Sequence, residues 1–219
     1  MQKIMFNEKY GLQRAAIDGT KPMTRRLISK HFPTEGVELI GITGIGAEFR
    51  IGENYETVFV RLPYKVGEVV AIAQSYKDCG YDGDTKYGWC YDENEERTDV
   101  LYKYVPGWKN KMFVRSSRMP HAIRITDVKV ERLQDISVED CMREGIVDIH
   151  LPILYPTGNH AYTFDGCSEG QIFGEINGFC SPISAFAALI DKVCGRGTWD
   201  RNPWVFAYTF EILKEGGEE

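Results

Sequence analysis

The chain has 219 residues, of which 43% are hydrophobic and 26% charged, and its formal net charge is −6. This composition is typical of a globular protein with a proper core, and the acidic balance argues against a protein that coats nucleic acid non-specifically. No apolar run approaches the roughly 18 residues of a membrane span, and the first residues lack the apolar segment of a signal peptide. We therefore expect no membrane association and a cytoplasmic location.

The first predicted element is a short helix over Glu8 to Asp18, with Gly19 as its left-handed C-terminal cap. The basic segment Gly19 to Arg26 follows directly, and a proline within it favours a stiff turn that fixes Lys21 relative to Thr24. An amine beside a hydroxyl suits nucleophilic chemistry. Taken alone, however, a basic cluster is more often a solvated face.

Runs of β-forming residues come next, and we predict short strands for all of them. The runs are Val37 to Thr43, Ala47 to Ile51, Thr57 to Leu62 and Val69 to Ala73. Cys79 to Lys111 then breaks the pattern with many Gly, Asp, Tyr and Glu residues, which predicts an inserted loop or small hairpin. Acidic residues concentrate between Asp78 and Asp99, and basic residues between Leu101 and Arg132.

Strands are predicted again at Met112 to Arg115 and, with clear alternation, at Ala122 to Leu133. The long strand should place four apolar residues in the core, namely Ile123, Ile125, Val128 and Val130. A change of alternation at Thr126-Asp127 suggests a bulge or kink.

A short helix is predicted to begin at the capping residue Ser137 and to end at Gly145. Glu144 then lies in its last turn. A carboxylate at the negative end of a helix dipole costs stability, so this position is either a tolerated surface site or a functional one.

The last third of the chain begins with a second predicted insertion, Val147 to Cys180. A helix should run from Ser181-Pro182 to Gly195, and a final strand from Trp204 to Leu213. Its apolar face is predicted to comprise Ile183, Phe186, Leu189, Ile190 and Val193. Many short strands, few helices and no βαβ alternation predict a single α+β domain over 1–219, a mixed β-barrel with short flanking helices and insertions at about 79–111 and 147–180.

The six cysteines and four histidines are dispersed, without a Cys-x-x-Cys pair. This spacing predicts neither a disulfide framework nor a zinc site. The run Asp82-Gly83-Asp84 lacks the ligand spacing of a calcium loop. We expect no metal and no cofactor.

Several motifs, in their order along the chain, resemble the ASCH domain, a PUA-like β-barrel. They are Gly19-x-Lys21-x-x-Thr24-x-Arg26, Val66-Gly67-Glu68-Val69-Val70, Asp135-Ile136-Ser137-x-Glu139-Asp140 with Glu144-Gly145-Ile146, and the aromatic closing strand. The resemblance covers the strand and helix framework but not the two insertions, and the chain is longer than the minimal members of the group. It implies a PUA-like fold associated with RNA or modified nucleotides.

Within that group, the small bacterial N4-acetylcytidine amidohydrolases are similar in having a Lys and a Thr three residues apart and a Glu on the following helix. Carried over by motif, the resemblance implies Lys21, Thr24 and Glu144 as catalytic residues. Thr24 would attack the acetyl carbonyl, Lys21 would accept its proton, and Glu144 would orient or protonate the leaving amine. Lys21 then needs a lowered pKa, for which we expect repulsion from Arg25 and Arg26 to be the cause.

Two other functions remain open from the sequence. The first is a nucleic-acid-binding module for which single-stranded RNA is the expected partner. Phosphates would be contacted by Lys21, Arg25, Arg26 and the basic segment Lys103 to Arg118, and unpaired bases would stack on Tyr102, Tyr104 or Trp108. The candidate binding residues of that segment are Trp108, Lys109, Lys111 and Arg115. The second is a ribonuclease that uses Lys21 and Glu144 as acid and base, together with a histidine such as His121. A modified nucleoside or single-stranded RNA is therefore the expected partner, and the oligomeric state is left open.

Overall fold

A computed structural model describes residues 1–52, 56–79, 88–91, 97–100, 106–150, 160–167, 171–172 and 176–213. The chain divides into two compact units, each built from separated segments. The first contains the described parts of Met1–Phe6, Val69–Ile123 and Leu213–Glu219, and the second those of Asn7–Glu68 and Arg124–Ile212. The single-domain organisation stays a prediction.

The described residues form many strands and few helices, which confirms the α+β class. The helices are α1 (Leu12–Ile17), α2 (Val138–Arg143), α3 (Pro182–Cys194) and α4 (Thr198–Arg201). The strands are β1 (Gln2–Ile4), β2 (Met23–Leu27), β3 (Val37–Thr43), β4 (Gly46–Ile51), β5 (Glu56–Arg61), β6 (Val69–Ile72), β7 (Gly88–Tyr91), β8 (Arg97–Val100), β9 (Ala122–Arg132), β10 (Val147–His150), β11 (His160–Thr163), β12 (Gln171–Ile172), β13 (Ile176–Asn177) and β14 (Trp204–Leu213).

The second unit is organised around three neighbouring strands in the order β9, β14, β2. β14 pairs antiparallel with β2, with Tyr208 opposite Thr24 and Phe206 opposite Arg26. β14 is buried on both faces over Val205–Tyr208, which explains its almost uninterrupted apolar sequence. This central strand therefore holds β2, the strand that carries the basic motif, deep in the unit.

Helices α2 and α3 of this unit begin at the serines that the sequence predicts. The hydroxyl of Ser137 accepts the Asp140 backbone N–H at 3.1 Å, and that of Ser181 accepts the Ser184 N–H at 3.1 Å. α3 packs through Phe186, Leu189 and Ile190, as predicted. The prediction was wrong at the two ends of that face, because Ile183 is 37% exposed and Val193 38% exposed.

The remaining strands of the second unit form small antiparallel sheets. β3, β4 and β5 make a three-stranded sheet, while β10 pairs with β11 and β12 with β13. The predicted insertion at 147–180 therefore contains regular pairing in its described part, which its sequence lacked the periodicity to indicate. Residues 151–159, 168–170 and 173–175 of the predicted insertion lie outside the described part.

The first unit contains the parallel pair β1 and β6 and the hairpin of β7 and β8. Its small apolar cluster comprises Ala71, Ala73, Val114 and Met119, with Tyr76 packed against it. The hairpin agrees with the hairpin alternative predicted for 79–111, whose residues 80–87, 92–96 and 101–105 lie outside the described part. The predicted strand at Met112 to Arg115 was wrong: Lys111–Phe113 is a 3-10 turn, closed by the Asn110 side chain.

Within neither unit do the described strands close into a ring, so the barrel remains an expectation. The helix predicted over Glu8 to Asp18 is shorter than expected, but Gly19 follows it with a φ of 76°, the left-handed conformation of a helix end. β9 ends at Arg132 and buries Ile123, Ile125 and Val130, while Val128 is half-buried. Among the described residues, no helix has the length and apolar character needed to cross a bilayer.

Candidate functional site

The basic motif lies on a strand rather than on a turn, which corrects the prediction for Thr24, Arg25 and Arg26. All three belong to β2, and Lys21 precedes it by two residues. The backbone N–H of Lys21 donates to the Ala15 carbonyl at 3.0 Å, which ties the segment to α1. Because successive strand residues point to opposite faces, Arg25 lies on one face of β2, and Thr24 and Arg26 on the other.

The centre of the site is a buried ion pair between Lys21 and Glu144. The Lys21 Nζ atom donates to Glu144 Oε2 at 2.5 Å and to the Glu144 backbone carbonyl at 2.6 Å. The two side chains are only 2% and 5% exposed. The structure thus brings together two of the three catalytic candidates, which lie 123 residues apart in the sequence.

Glu144 reaches this position because α2 ends there. It is the C-cap residue of the helix, and Gly145 follows with a φ of 102°. A Cβ atom at Gly145 would lie 3.6 Å from Lys21 Cδ and 3.4 Å from Leu12 Cδ2, so the lysine stem packs directly against the helix end. The ammonium of Lys21 therefore offsets the unfavourable helix-end charge that the sequence indicated, by binding both the carboxylate and a terminal carbonyl.

Burial lowers the pKa of Lys21, and the opposing charge and hydrogen bond of Glu144 only partly compensate. Arg26 and Arg25 lower it further, but as smaller contributions. The predicted direction agrees, and the predicted repulsion from Arg25 and Arg26 contributes, but desolvation is the larger cause. A lysine in this environment gives up its proton more readily than one in water.

Arg25 lies at the centre of a cluster of carboxylates. Its guanidinium donates to Glu131 Oε1 from Nε at 2.9 Å and from Nη2 at 2.6 Å. Nη2 also donates to Asp140 Oδ2 at 3.0 Å, and Nη1 donates to Glu144 Oε1 at 3.1 Å. The Arg25 side chain is 1% exposed, so this predicted substrate-binding residue is enclosed by protein.

The opposite face of β2 carries Thr24 and Arg26 beside two tyrosines. Tyr208 is fully buried opposite Thr24, and its ring meets that of Tyr64 edge to face with centroids 5.6 Å apart. Burial raises the pKa of Tyr208 to about 12. Thr24 is 5% exposed, and its hydroxyl has no hydrogen-bond partner in the described part of the chain.

Tyr64 and Tyr208 both influence the pKa of Arg26 through their charges. Burial lowers its pKa, against the opposing influence of Tyr64, Glu144, Cys194 and Tyr208. Arg26 thus interacts electrostatically with both Glu144 and the two tyrosines. Like other arginines, it keeps its charge at neutral pH.

The other candidate binding residues belong to the first unit. Lys109 and Arg115 are exposed and Trp108 is half-buried. Lys111 donates to the Phe6 carbonyl at 2.8 Å, which gives its ammonium a structural contact. His121, the candidate of the ribonuclease hypothesis, also belongs to the first unit, where its Nδ1 lies 2.8 Å from Gln74 Oε1.

Sequence reasoning missed Glu131, Asp140, Tyr64 and Tyr208. Tyr208 could have been found, because antiparallel pairing of the closing strand with the Lys-x-x-Thr segment places one aromatic residue opposite Thr24. Glu131 and Asp140 gave no such signal, since a charged residue at a strand end or in a first helical turn is ordinarily solvated.

This arrangement supplies the Lys21 amine with a lowered pKa and the Glu144 carboxylate hydrogen-bonded to it. The Thr24 hydroxyl lies on β2, the strand that begins two residues after Lys21. Within the described residues, no cluster of His, Cys, Asp and Glu has the arrangement of a metal site. The chain matches no family model, no curated protein and no solved structure.

Proposed function

We propose that the chain is an ASCH-domain protein with a PUA-like barrel fold that hydrolyses the amide of an acylated nucleobase, with N4-acetylcytidine as the model substrate. The observation that carries the proposal is the buried Lys21–Glu144 pair, with the buried Thr24 three residues along the chain from Lys21. These are the positions that the motif resemblance selects for proton transfer and nucleophilic attack. Desolvating such a pair costs about as much as the pair gains, so net stabilisation is not a sufficient reason for its burial.

In the proposed reaction, the Thr24 Oγ1 atom attacks the acetyl carbonyl carbon while its proton passes to the neutral Lys21 amine. Lys21 is made neutral by passing its own proton to Glu144, across the 2.5 Å hydrogen bond. The Thr24–Lys21 hydrogen bond forms when the substrate is bound, since contacts of this kind commonly tighten only in the complex.

The carbon–nitrogen bond then breaks, and the exocyclic nitrogen of cytidine leaves with a proton returned by the Lys21–Glu144 pair. The acetyl group stays on Thr24 as an ester. Water attacks this ester and gives one proton to the Lys21 amine, which passes it to Thr24 Oγ1 as the bond from that oxygen to the acetyl carbon breaks. The acetic acid so formed loses its proton to solvent as acetate.

The tyrosine face supports a nucleobase as the substrate. Tyr64 is half-buried beside Tyr208, on the face of β2 that carries Thr24. An aromatic ring at this position can stack on a planar base, which is worth about 1–3 kcal/mol per base. Arg26, on the same face, supplies a cation for the carbonyl oxygen or for a phosphate of the substrate.

We also propose that the protein is located in the cytoplasm. The five cysteines whose side chains the structure describes are free thiols, as expected in a reducing compartment.

The test is to incubate the purified protein with N4-acetylcytidine and measure acetate and cytidine. Thr24→Ala and Lys21→Met should abolish acetate release. The matched controls are Thr20→Ala and Lys30→Ala, which alter exposed residues of the same region. If the wild-type protein releases no acetate, or if Thr24→Ala releases it at the wild-type rate, the proposal is wrong.

A second candidate is single-stranded RNA binding by the first unit, which is favoured by the exposed Lys109 beside the half-buried Trp108. Such binding should weaken steeply with salt, because it depends on counterion release. Lys109→Ala should reduce the slope of log affinity against log salt by roughly one contact. Binding that is unaffected by this change would exclude the segment.

A further inference from the structure

The Arg25 guanidinium uses all of its hydrogen-bond donors inside the protein. An arginine has five N–H groups. Nε and both Nη2 bonds go to carboxylates of Glu131 and Asp140, while Nη1 donates to Glu144 Oε1 at 3.1 Å and contacts Met23 Sδ at 3.3 Å. Since the side chain is 1% exposed, no donor remains for a substrate.

The same guanidinium fixes the orientation of Glu144. One carboxylate oxygen, Oε1, accepts from Arg25, and the other, Oε2, accepts from Lys21. A carboxylate held at both oxygens cannot rotate, so Oε2 stays directed at the lysine amine. Phe186 packs 6.0 Å from the guanidinium centre and limits its movement from the α3 side.

Glu131 and Asp140 hold Arg25 in turn. Asp140 lies on the same helix that ends at Glu144, and its other oxygen accepts from Arg143 at 3.2 Å. Glu131 lies on β9, so the guanidinium is attached to two elements besides its own strand. The cluster therefore determines where the end of α2 lies relative to β2.

We propose that Arg25 is a positioning residue that holds the Glu144 carboxylate against Lys21 and does not contact the substrate. The kinetic test of this inference rests on the proposed function, whereas the titration of Lys21 does not. It replaces the sequence-based expectation that Arg25 binds substrate or nucleic acid, and it assigns Glu131 and Asp140 the task of holding the guanidinium.

The kinetic test uses Arg25→Lys, which keeps the charge but has no fork to bridge three carboxylates. The turnover number kcat should fall about 100-fold with KM unchanged, because misplacing a catalytic group by about 1 Å has this effect. Arg14→Lys is the matched control, since the Arg14 side chain is 87% exposed and pairs with Asp18, and it should leave both constants near the wild-type values. A raised KM at unchanged kcat would mean that Arg25 binds substrate, and would overturn the proposal.

The second test measures the Lys21 amine directly and needs no activity. The charged groups that act on this amine are Glu144 from α2 and Arg25 and Arg26 from β2. Arg25→Lys keeps one positive charge but cannot bridge Glu144 to the other carboxylates, so the Glu144 carboxylate should move away from Lys21 and the pKa of Lys21 should fall. If Arg25 acted through its charge alone, this pKa would stay unchanged. The readout is the NMR titration of lysine Cε signals, with Lys21 assigned by its absence in Lys21→Met.

Arg25→Gln is the second variant, in case Arg25→Lys does not fold: loss of its charge alone would raise the pKa of Lys21, so a fall reports displacement of Glu144. An unchanged or raised Lys21 pKa in a folded Arg25→Lys protein, or a raised one in a folded Arg25→Gln protein, would overturn the proposal. If the wild-type protein shows no amidohydrolase activity but the titration shifts as expected, the proposed function fails while the positioning role of Arg25 stands.

Discussion

The protein has two groups of basic residues that look alike in sequence and differ completely in their surroundings. Lys21 and Arg25, in the second unit, are buried and hydrogen-bonded to carboxylates. Lys109 and Arg115, in the first unit, are exposed. Cations of the first kind can tune proton transfer, because burial changes their pKa, whereas cations of the second kind can attract anions through solvent.

The energetics of the two groups should differ in the same way. Removing one partner of a buried ion pair leaves an uncompensated charge, which costs about 3–5 kcal/mol. Removing an exposed charge ordinarily changes the free energy of unfolding by less than about 0.5 kcal/mol. The predictions below use this contrast, beginning with the largest expected effect.

Glu144→Ala should lower the free energy of unfolding by about 3–5 kcal/mol, because Lys21 and Arg25 then lose a shared buried carboxylate. Denaturant unfolding measures the change. The control is Glu139→Ala, an exposed glutamate on the same helix, for which we expect a change within about 0.5 kcal/mol. Equal effects of the two substitutions would contradict the buried character of the pair.

Lys21 should make the stability of the protein depend on alkaline pH. Its pKa is lower in the folded protein than the ordinary 10.5, so between the folded pKa and 10.5 the unfolded chain binds more protons. The free energy of unfolding therefore rises with pH across that window, and this contribution is lost as pH falls through it. Comparing wild type with Lys21→Met by denaturant unfolding at several pH values isolates the contribution. If the free energy of unfolding rises equally with pH in Lys21→Met and wild type, Lys21 is not the cause and the prediction is wrong.

Tyr208→Phe should cost about 1 kcal/mol by removing the contact between the phenol and the Tyr64 backbone N–H. The pKa of Tyr208 is raised from 10.0 to about 12, so its contribution is complete below pH 10 and is lost as pH rises towards 12. The free energy of unfolding should therefore fall less between pH 8 and pH 11 in Tyr208→Phe than in wild type. A larger difference in Tyr208→Phe would reverse the sign of this prediction.

Lys109→Ala and Arg115→Ala should have the smallest effects, with unfolding free energies within about 0.5 kcal/mol of wild type and unchanged acetate release. Denaturant unfolding and the acetate assay measure these quantities. A loss of acetate release on either change would mean that the exposed basic segment takes part in the reaction.

The sequence was sufficient to predict those features that local patterns encode. Serine caps at Ser137 and Ser181, the left-handed Gly19 and the alternation of β9 are all set by residues within a few positions of one another. The same reasoning failed where tertiary contacts decide. Pro22 suggested a turn, but pairing with β14 draws the following residues into a strand.

The candidate site was predictable in part for the same reason. Glu144 was identifiable from its position at a helix end, and Lys21 from its spacing to Thr24. The carboxylates around Arg25 were not identifiable, because they come from a strand and a helix separated from it by 106 and 115 residues. A basic pair in sequence therefore gives no indication of whether it faces solvent or a buried acid.

The most direct test of the account is to quench the protein during turnover of N4-acetylcytidine and map acetyl groups by peptide mass spectrometry. We expect one acetyl group as an ester on Thr24, absent in Thr24→Val and still present in the control Thr20→Ala. Acetate release without any acetyl group on Thr24, or no acetate release at all, would contradict the assignment of Thr24, Lys21 and Glu144 as a hydrolytic site.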